Sequence, residues 1–512
     1  MLTGDILRFS ARRDPNRTAL IQGAARVSYG ELWDDSLRTA NAIGALGIGK
    51  GETVAVMSLN RPEYVAIHFG NAMSGAMLVN LMPAYAPEEL VAILQQTRSR
   101  LIIVEAPYQE KIAEIADRLP DLKHVVVIGE PGQGGWLPFD RFVADQPATR
   151  PEIALNPDDT FSMTFTGGTT GLPKGAKVSH EARFVSAYTT AIEHEVREAD
   201  TVGLLTPMYH AMGSCVWLPT VVLVGATIVM PARWDPDQMV EQTARHGINT
   251  VLMVPVQLRE LLADAHFDAG ALATLNNVAC GGAITPVELV AEIAEKMPWA
   301  RFTNHYGQSE TGPVTLFKHN HPRDKAGTIG RPALGAEVEL LDAGGAPVPV
   351  GEPGEIVVGG PFLMSGYYNN PEETELYFRG GDGRGWTGDL GCWDEDGFIT
   401  LVGRSKDMIV SGGINIYPRE IEIALEKHTS VAECTVFGVP DEKWGEALAA
   451  LVVRRGARDL DEATLTAHCE TQLAGFKRPK FIRFVNNIPK TPSGKVQKPK
   501  LRDAFLKELE KT

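Results

Sequence analysis

The run TFTGGTTGLPKG, from Thr164 to Gly175, packs four glycines, four threonines and one lysine into twelve residues. It reads as a loop shaped for a polyphosphate. Gly167, Gly168 and Gly171 let backbone N–H groups approach phosphate oxygens, the hydroxyls of Thr166, Thr169 and Thr170 add donors, and Lys174 adds a mobile positive charge. The pattern is not the common Gly-x-x-x-x-Gly-Lys-Ser/Thr loop, because Lys174 stands three residues after Gly171 and is followed by Gly175. The hydroxyl that would hold Mg²⁺ is missing there, so a metal ligand is expected elsewhere in the chain.

At 512 residues and 44% hydrophobic content, the chain exceeds a single core and is expected to build two to four. The longest apolar run, Trp217 to Met230, is broken by Pro219 and Gly225 and is too short for a bilayer, so no membrane span is expected. Asp5 interrupts the N-terminus before an apolar block can form, and no small-residue cleavage site follows. No secretory signal is read there, and a cytoplasmic globular protein is expected. Cys215, Cys280, Cys392, Cys434 and Cys469 are scattered and odd in number, as suits reduced thiols packed like small apolar groups. A net charge of −15 argues against a nucleic-acid partner. Yet Phe476 to Arg502 holds nine Lys and Arg residues and no Asp or Glu, which is either a solvated basic face or a surface for an anion.

Up to about Pro255, short β-branched runs (Thr53–Met57, Leu101–Val104, Val125–Ile128, Ala226–Met230, Thr250–Val254) alternate with helical stretches at Tyr29–Leu46, Pro87–Gln96 and Pro236–Arg245. This predicts parallel sheets covered by helices. From about 327 to 402 the texture becomes short strands between Gly/Pro turns, a small antiparallel barrel or hairpin subdomain. An α+β pattern follows after Gly403, long enough for a core of its own. The expected division is 1–403 for the larger domain and 404–512 for the smaller.

Six further segments accompany the glycine loop: PMYHAMG at Pro207–Gly213, GGA at Gly281–Ala283, YGQSETG at Tyr306–Gly312, GWTGDLG at Gly385–Gly391, GRSKDMI at Gly403–Ile409 and PKTPSGK at Pro489–Lys495. In this set and order the chain resembles the adenylate-forming superfamily of acyl-CoA synthetases, adenylation domains and luciferases over essentially its whole length. The resemblance implies two doubly wound α/β subdomains and a distorted antiparallel β-barrel, followed by a mobile α+β lid that turns about a hinge at Lys406. It also implies a two-step reaction. A carboxylate attacks the α-phosphorus of ATP to give acyl-AMP and pyrophosphate, and the thiol of coenzyme A then displaces AMP.

By the same resemblance, Glu310 is the Mg²⁺ ligand, Ser309 a phosphate donor, and Lys495 the catalytic cation on the α-phosphate, with Thr166 and His210 also in the catalytic set. Tyr306 stacks on adenine beside Gly307, while Gly281, Gly282 and Ala283 cover the other face. Asp389 and Arg404 hold the ribose. His210 gates the acyl pocket, whose walls are Met212, Val216 and Trp217 on one side and Gly281 and Gly282 on the other. Gly412 and Gly413 line the coenzyme A tunnel. Taken singly, these residues have ordinary readings: core packing for Tyr306 and His210, a turn for Asp389, an exposed loop for Lys406. Gly167 and Ser309 depart from the family, where serine and threonine respectively are usual.

The pocket walls are apolar and carry no fixed charge, which suits a monocarboxylic acid with a medium-chain alkyl or aryl tail. A second carboxylate would need a buried cation, and the nearby candidate, Arg259, falls on a surface helix. Two other readings stay open: loading of a carrier-protein phosphopantetheine, and a catalytically silent nucleotide-binding relative. A homodimer is one allowed assembly.

Overall fold

The computed structural model describes residues 1–132, 134–166, 173–263, 265–412, 414–456, 460–490 and 496–509. Gly167, Gly168, Thr169, Thr170, Gly171, Gly413 and Lys495 lie outside the described residues. The chain forms two compact units, one of residues 1–338 with 358–386 and the other of 339–357 with 387–512.

In the first unit, strands buried on both faces read as continuous apolar runs, as parallel strands between helical layers must. A seven-stranded sheet runs in the order 137–138, 124–128, 101–105, 53–57, 77–80, 160–166, 174–179. All its pairings are parallel except the last, where Thr160–Thr166 and Lys174–Ser179 pair antiparallel. A nine-stranded sheet runs in the order 331–332, 312–317, 301–308, 277–280, 250–253, 201–203, 227–229, 18–22, 25–28. Its middle is parallel and its ends are antiparallel.

The period of two along each strand assigns its residues to two cores. Val54, Val56, Leu101 and Ile103 join Leu20, Ile228 and Leu252 of the other sheet in one central core. Ala55, Met57, Ile102 and Val104 face outward into a second core with Leu90, Ile93 and Ile112. Helices Tyr29–Ala45, Pro62–Ser74 and Leu218–Val224 supply the central filling with Ile43, Tyr64, Phe69 and Val221. The local signals act as expected. Ser28 caps the first of these helices by accepting from the Glu31 N–H, and prolines open Pro87–Thr97 and Pro236–His246.

In the second unit, Gly445–Arg454 pairs antiparallel with Val431–Asp441 and parallel with Phe481–Val485. Helices Pro418–Glu426, Glu462–Gln472 and Lys498–Leu509 complete it. Val436, Leu448 and Ala450 fill one core, and Phe437, Ala449 and Phe505 another. Strands Glu337–Leu341, Pro353–Gly359, Gly385–Trp393 and Ile399–Arg404 form a four-stranded sheet in that order. The stretch expected to be all β also holds a helix, Pro371–Tyr377, capped by the Asn370 side chain.

The compact units divide between Trp386 and Thr387, so 404–512, the expected smaller domain, falls within one unit together with 339–357 and 387–403. Gly385–Trp393 and Ile399–Arg404 form one hairpin with Asp389 opposite Arg404. Among the described residues no helix is long and apolar enough to cross a membrane.

Candidate active site

Lys174 emerges from the hairpin paired with Thr166, at the exit of the glycine run. Its ammonium lies 2.6 Å from a Glu373 carboxylate oxygen and 5.7 Å from the centroid of the Tyr367 ring. The backbone brings these together. Lys177 N–H donates to the Gly366 carbonyl at 2.9 Å, and Tyr368 N–H to the Gly175 carbonyl at 2.8 Å, so residues 366–368 lie along the strand that starts at Lys174. The Tyr367 hydroxyl donates to Glu310 Oε1 at 2.8 Å. Tyr367 thus touches the lysine of the glycine run through its ring and the acid of YGQSETG through its hydroxyl.

Glu310 is held in a tight turn between strands Arg301–Gln308 and Gly312–Phe317, where the Thr311 hydroxyl accepts from Gln308 N–H at 2.9 Å. The turn needs glycine before it: a Cβ on Gly307 would lie 1.9 Å from the Gly312 carbonyl oxygen. Glu310 is buried, and its carbonyl accepts from Met364 N–H at 2.8 Å. Ser309 and Tyr306 are half-buried on the same hairpin, with Tyr306 opposite Thr315.

Gly281 follows strand Asn277–Cys280 and donates its N–H to the Met253 carbonyl at 3.1 Å. It packs against the imidazole of His305, since a Cβ there would lie 2.3 Å from Nε2. Gly282 and Ala283 are exposed. Burial pushes the neighbouring Cys280 thiol up to about 12, which leaves it an inert packed group.

His210 lies in a turn, its ring 4.8 Å edge-on from that of Tyr209, and its carbonyl accepts from the N–H groups of Gly213 and Ser214. Met212 to Trp217 then winds as a π-helix before the α-helix Leu218–Val224. The wide turn brings Met212 near Gly282, whose Cβ position is 3.5 Å from the Met212 sulfur. Val216 is buried, and Trp217 is wholly buried beside His194. Arg259 is exposed, as expected. The buried cation is instead Arg183, on helix His180–Glu193, which donates to the Cys215 carbonyl of the π-helix and to Ser186 Oγ. Burial pushes its guanidinium below the usual arginine range, and among the described residues no carboxylate pairs with it.

In the second unit Asp389 is buried and accepts from Arg404 Nε at 2.9 Å, a pair fixed by their opposed positions in the hairpin. Lys406 stands exposed on the single 3₁₀ turn Ser405–Asp407. Gly412 donates its N–H to the Trp444 carbonyl at 2.7 Å and lies over the Trp444 ring, which is half exposed. The basic stretch is not a bare cationic surface. Seven of its nine cations, Lys477, Arg478, Lys480, Arg483, Lys490, Lys498 and Arg502, stand within ion-pair distance of acids drawn from elsewhere in the unit. Charge excess along the sequence is thus cancelled in space.

Several residues here carried no local signal: Tyr367, Glu373, Arg183, His194 and His305 matter only because distant segments meet. With the geometry in place, comparison with known proteins decides the family. The AMP-binding enzyme family matches residues 7–368, and the AMP-binding enzyme C-terminal domain matches residues 420–495. The chain belongs to the AMP-binding enzymes. A feruloyl-CoA synthase of Amycolatopsis is 32% identical, with 97% of each chain covered. The medium/long-chain-fatty-acid–CoA ligase FadD8 of Mycobacterium tuberculosis is 35% identical over 98% of this chain and 90% of its own. The crystal structure of ATP-bound MatB from Rhodopseudomonas palustris superposes with a TM-score of 0.90 at 28% identity, covering 99% of both chains. As an AMP-binding enzyme of this group, the protein is an AMP-forming acid–thiol ligase that makes acyl-CoA from an acid, ATP and coenzyme A.

Proposed function

We propose that this acyl-CoA synthetase activates a monocarboxylic acid with a medium-chain alkyl or aryl tail, using the residues set out above. The observation that carries the reading is Tyr367, which joins Lys174 of the glycine run to Glu310 of the YGQSETG turn. A cation and a carboxylate meet across one aromatic ring, where a polyphosphate and its counter-ion would need them.

In the first step the substrate carboxylate attacks the α-phosphorus of ATP and the bond to pyrophosphate breaks. Both partners are anionic, so catalysis is mainly alignment and charge neutralisation. Lys174 and the threonines of the glycine run serve the polyphosphate, Lys495 serves the reacting carboxylate and α-phosphate, and Ser309 adds a donor. Tyr306 and Gly281–Ala283 take adenine; Asp389 and Arg404 take the ribose. Glu310 suits a magnesium ion: it is one buried hard-oxygen donor with a single oxygen engaged by Tyr367, and among the described residues no cluster of three ligating side chains exists. That is the chemistry of an ion that draws most of its shell from phosphate and water. When bound, magnesium supplies further neutralisation of the polyphosphate. In the second step the thiol sulfur attacks the acyl carbon and AMP leaves, with Gly412 and Gly413 lining the thiol's path and Lys406 as the turning point between steps. His210 gates the acyl side, which Met212, Val216, Trp217, Gly281 and Gly282 form.

The fatty and aryl relatives support both tail classes and do not choose between them. Cytoplasmic residence belongs to the same proposal, supported by five free cysteines. The test is acid-dependent pyrophosphate release across acids of graded chain length and aryl character, with Lys495→Ala alongside. Release should fall by orders of magnitude in the variant, while thioester formation from supplied acyl adenylate changes little. Equal loss in both steps, or no release with any acid, would refute the assignment.

A further inference from the structure

Behind the two candidate acyl walls lies a group of buried rings with polar atoms that have no hydrogen-bond partner among the described residues. His194 ends helix His180–Glu193 and is buried, its carbonyl accepting from the Asn277 side chain at 2.7 Å. Among the described residues neither ring nitrogen of His194 has a hydrogen-bond partner, and the same is true of His305 Nδ1 and Trp217 Nε1. The three rings are neighbours. His194 meets Trp217 edge-on at 5.8 Å between centroids and His305 at 5.2 Å, in both cases nearly perpendicular, so the rings do not satisfy one another. Trp217 belongs to one acyl wall. His305 backs the other, with its Nε2 against Gly281. Where the walls approach each other, Met212 faces Gly282.

A buried polar group left unpaired costs about 1–3 kcal/mol, so four such atoms in one place call for a partner. An acyl site meant only for alkyl chains would put leucine or phenylalanine here. Burial pushes His305 down to about 4 and His194 well below its ordinary value, with His305 and Lys318 adding to the effect at His194. Both imidazoles are therefore neutral, each offering one donor and one acceptor, and the indole offers a donor. Nearby cations are engaged: Arg183 by the Cys215 carbonyl, Lys318 by Glu193. The chemistry fits an uncharged polar group better than a second carboxylate.

Building on the acyl-site reading above, we propose that His194, His305 and Trp217 form a hydrogen-bonding end to the acyl site, and that the preferred acid carries a hydroxyl or carbonyl group in its tail. These are specificity-determining side chains, with no part in the bond-making steps.

The test compares kcat/KM for pyrophosphate release within matched pairs of acids: phenylpropenoic acid against its 4-hydroxy form, and unsubstituted alkanoic acids against their ω-hydroxy and oxo forms. In wild-type enzyme the polar member of at least one pair should be preferred about tenfold or more. Trp217→Phe, which keeps a ring and loses the N–H, and His305→Phe should each bring that preference toward unity, and His194→Asn should retain part of it. Plain acids used as well as their polar partners in every pair would overturn the inference, as would variants that depress both members equally, the result expected if water alone fills the site. The wild-type pairs decide even if a variant fails to fold. No release with any acid would instead sink the acyl-site reading on which the inference stands.

Discussion

Glu310 and His194 lie in the same unit and are both buried, yet one sits in a completed polar network and the other among orphaned atoms. Around Glu310, Tyr367, Lys174 and Glu373 pair in sequence; around His194, His305 and Trp217 touch without bonding. On the reading proposed above, the difference separates side chains already held in position from side chains whose bonds await the substrate. A nucleotide site needs its charges held in place beforehand, whereas an acyl site can leave its last hydrogen bonds to the substrate.

Breaking the completed side should give the largest effect. Glu310→Gln removes a buried charge at the proposed metal position, and kcat/KM for ATP in pyrophosphate release should fall about a hundredfold or more. Steady-state assays at varied ATP and Mg²⁺ read this directly, and a loss under threefold would remove Glu310 from the site.

The orphaned side makes the next prediction, through acid stability. Burial depresses His305 to about 4 and pushes His194 well below its ordinary value, while elsewhere in the same unit His68 falls to about 3 and His180 to about 4. Asp5 and Asp159 partly oppose the shift at His180, and Arg183 adds to that at His68. These groups are neutral when folded and protonate near pH 6.5 when unfolded. The unfolded state therefore binds more protons below that pH, so stability is full above about pH 6.5 and declines as pH falls toward 4. Each histidine contributes about 1.4 kcal/mol per pH unit across that window. Denaturant melts at stepped pH measure the slope, and a flat profile between pH 6.5 and 4.5 would mean that the imidazoles are hydrated or paired.

The smallest effect should come from Tyr367→Phe, which removes one hydrogen bond to Glu310 and keeps the ring under Lys174. A loss of about fivefold to tenfold in kcat/KM for ATP is expected, with KM for the acid little changed. A matching rise in the acid's KM would show that the two regions are not separate.

These contrasts also mark what the sequence could reveal. Helix starts at Ser28, Pro87 and Pro236 and the strands Thr53–Met57 and Leu101–Glu105 follow from capping and apolar runs, which are local causes. Gly281 and Gly307 entered through the motifs of the resemblance; that a methyl on either would strike His305 or the Gly312 carbonyl is a matter of folded packing that the sequence does not display. Tyr367 and Glu373 were not legible, because SGYYNNPEE says nothing about strand Lys174–Ser179 lying alongside. The histidines were unreadable for a related reason. Neither TAIEH nor TNHYG shows that its imidazole will be buried with ring nitrogen left unpaired among the described residues. The register that sets Asp389 opposite Arg404 was likewise hidden, because it is a property of two strands together. The basic stretch misled in the opposite sense, since its counter-charges came from segments far along the chain.

The widened backbone between Met212 and Trp217 has a consequence for any change in chain length there. A π turn holds one more residue than an α turn, its N–H groups bonding five residues back rather than four, so removing one residue can restore ordinary winding with the segments on either side nearly where they were. His210 and Leu218–Val224 would keep their places, and the loss would fall on the stretch between them, which would present one side chain fewer opposite Gly282. A one-residue deletion here would reshape the candidate wall without unseating its neighbours.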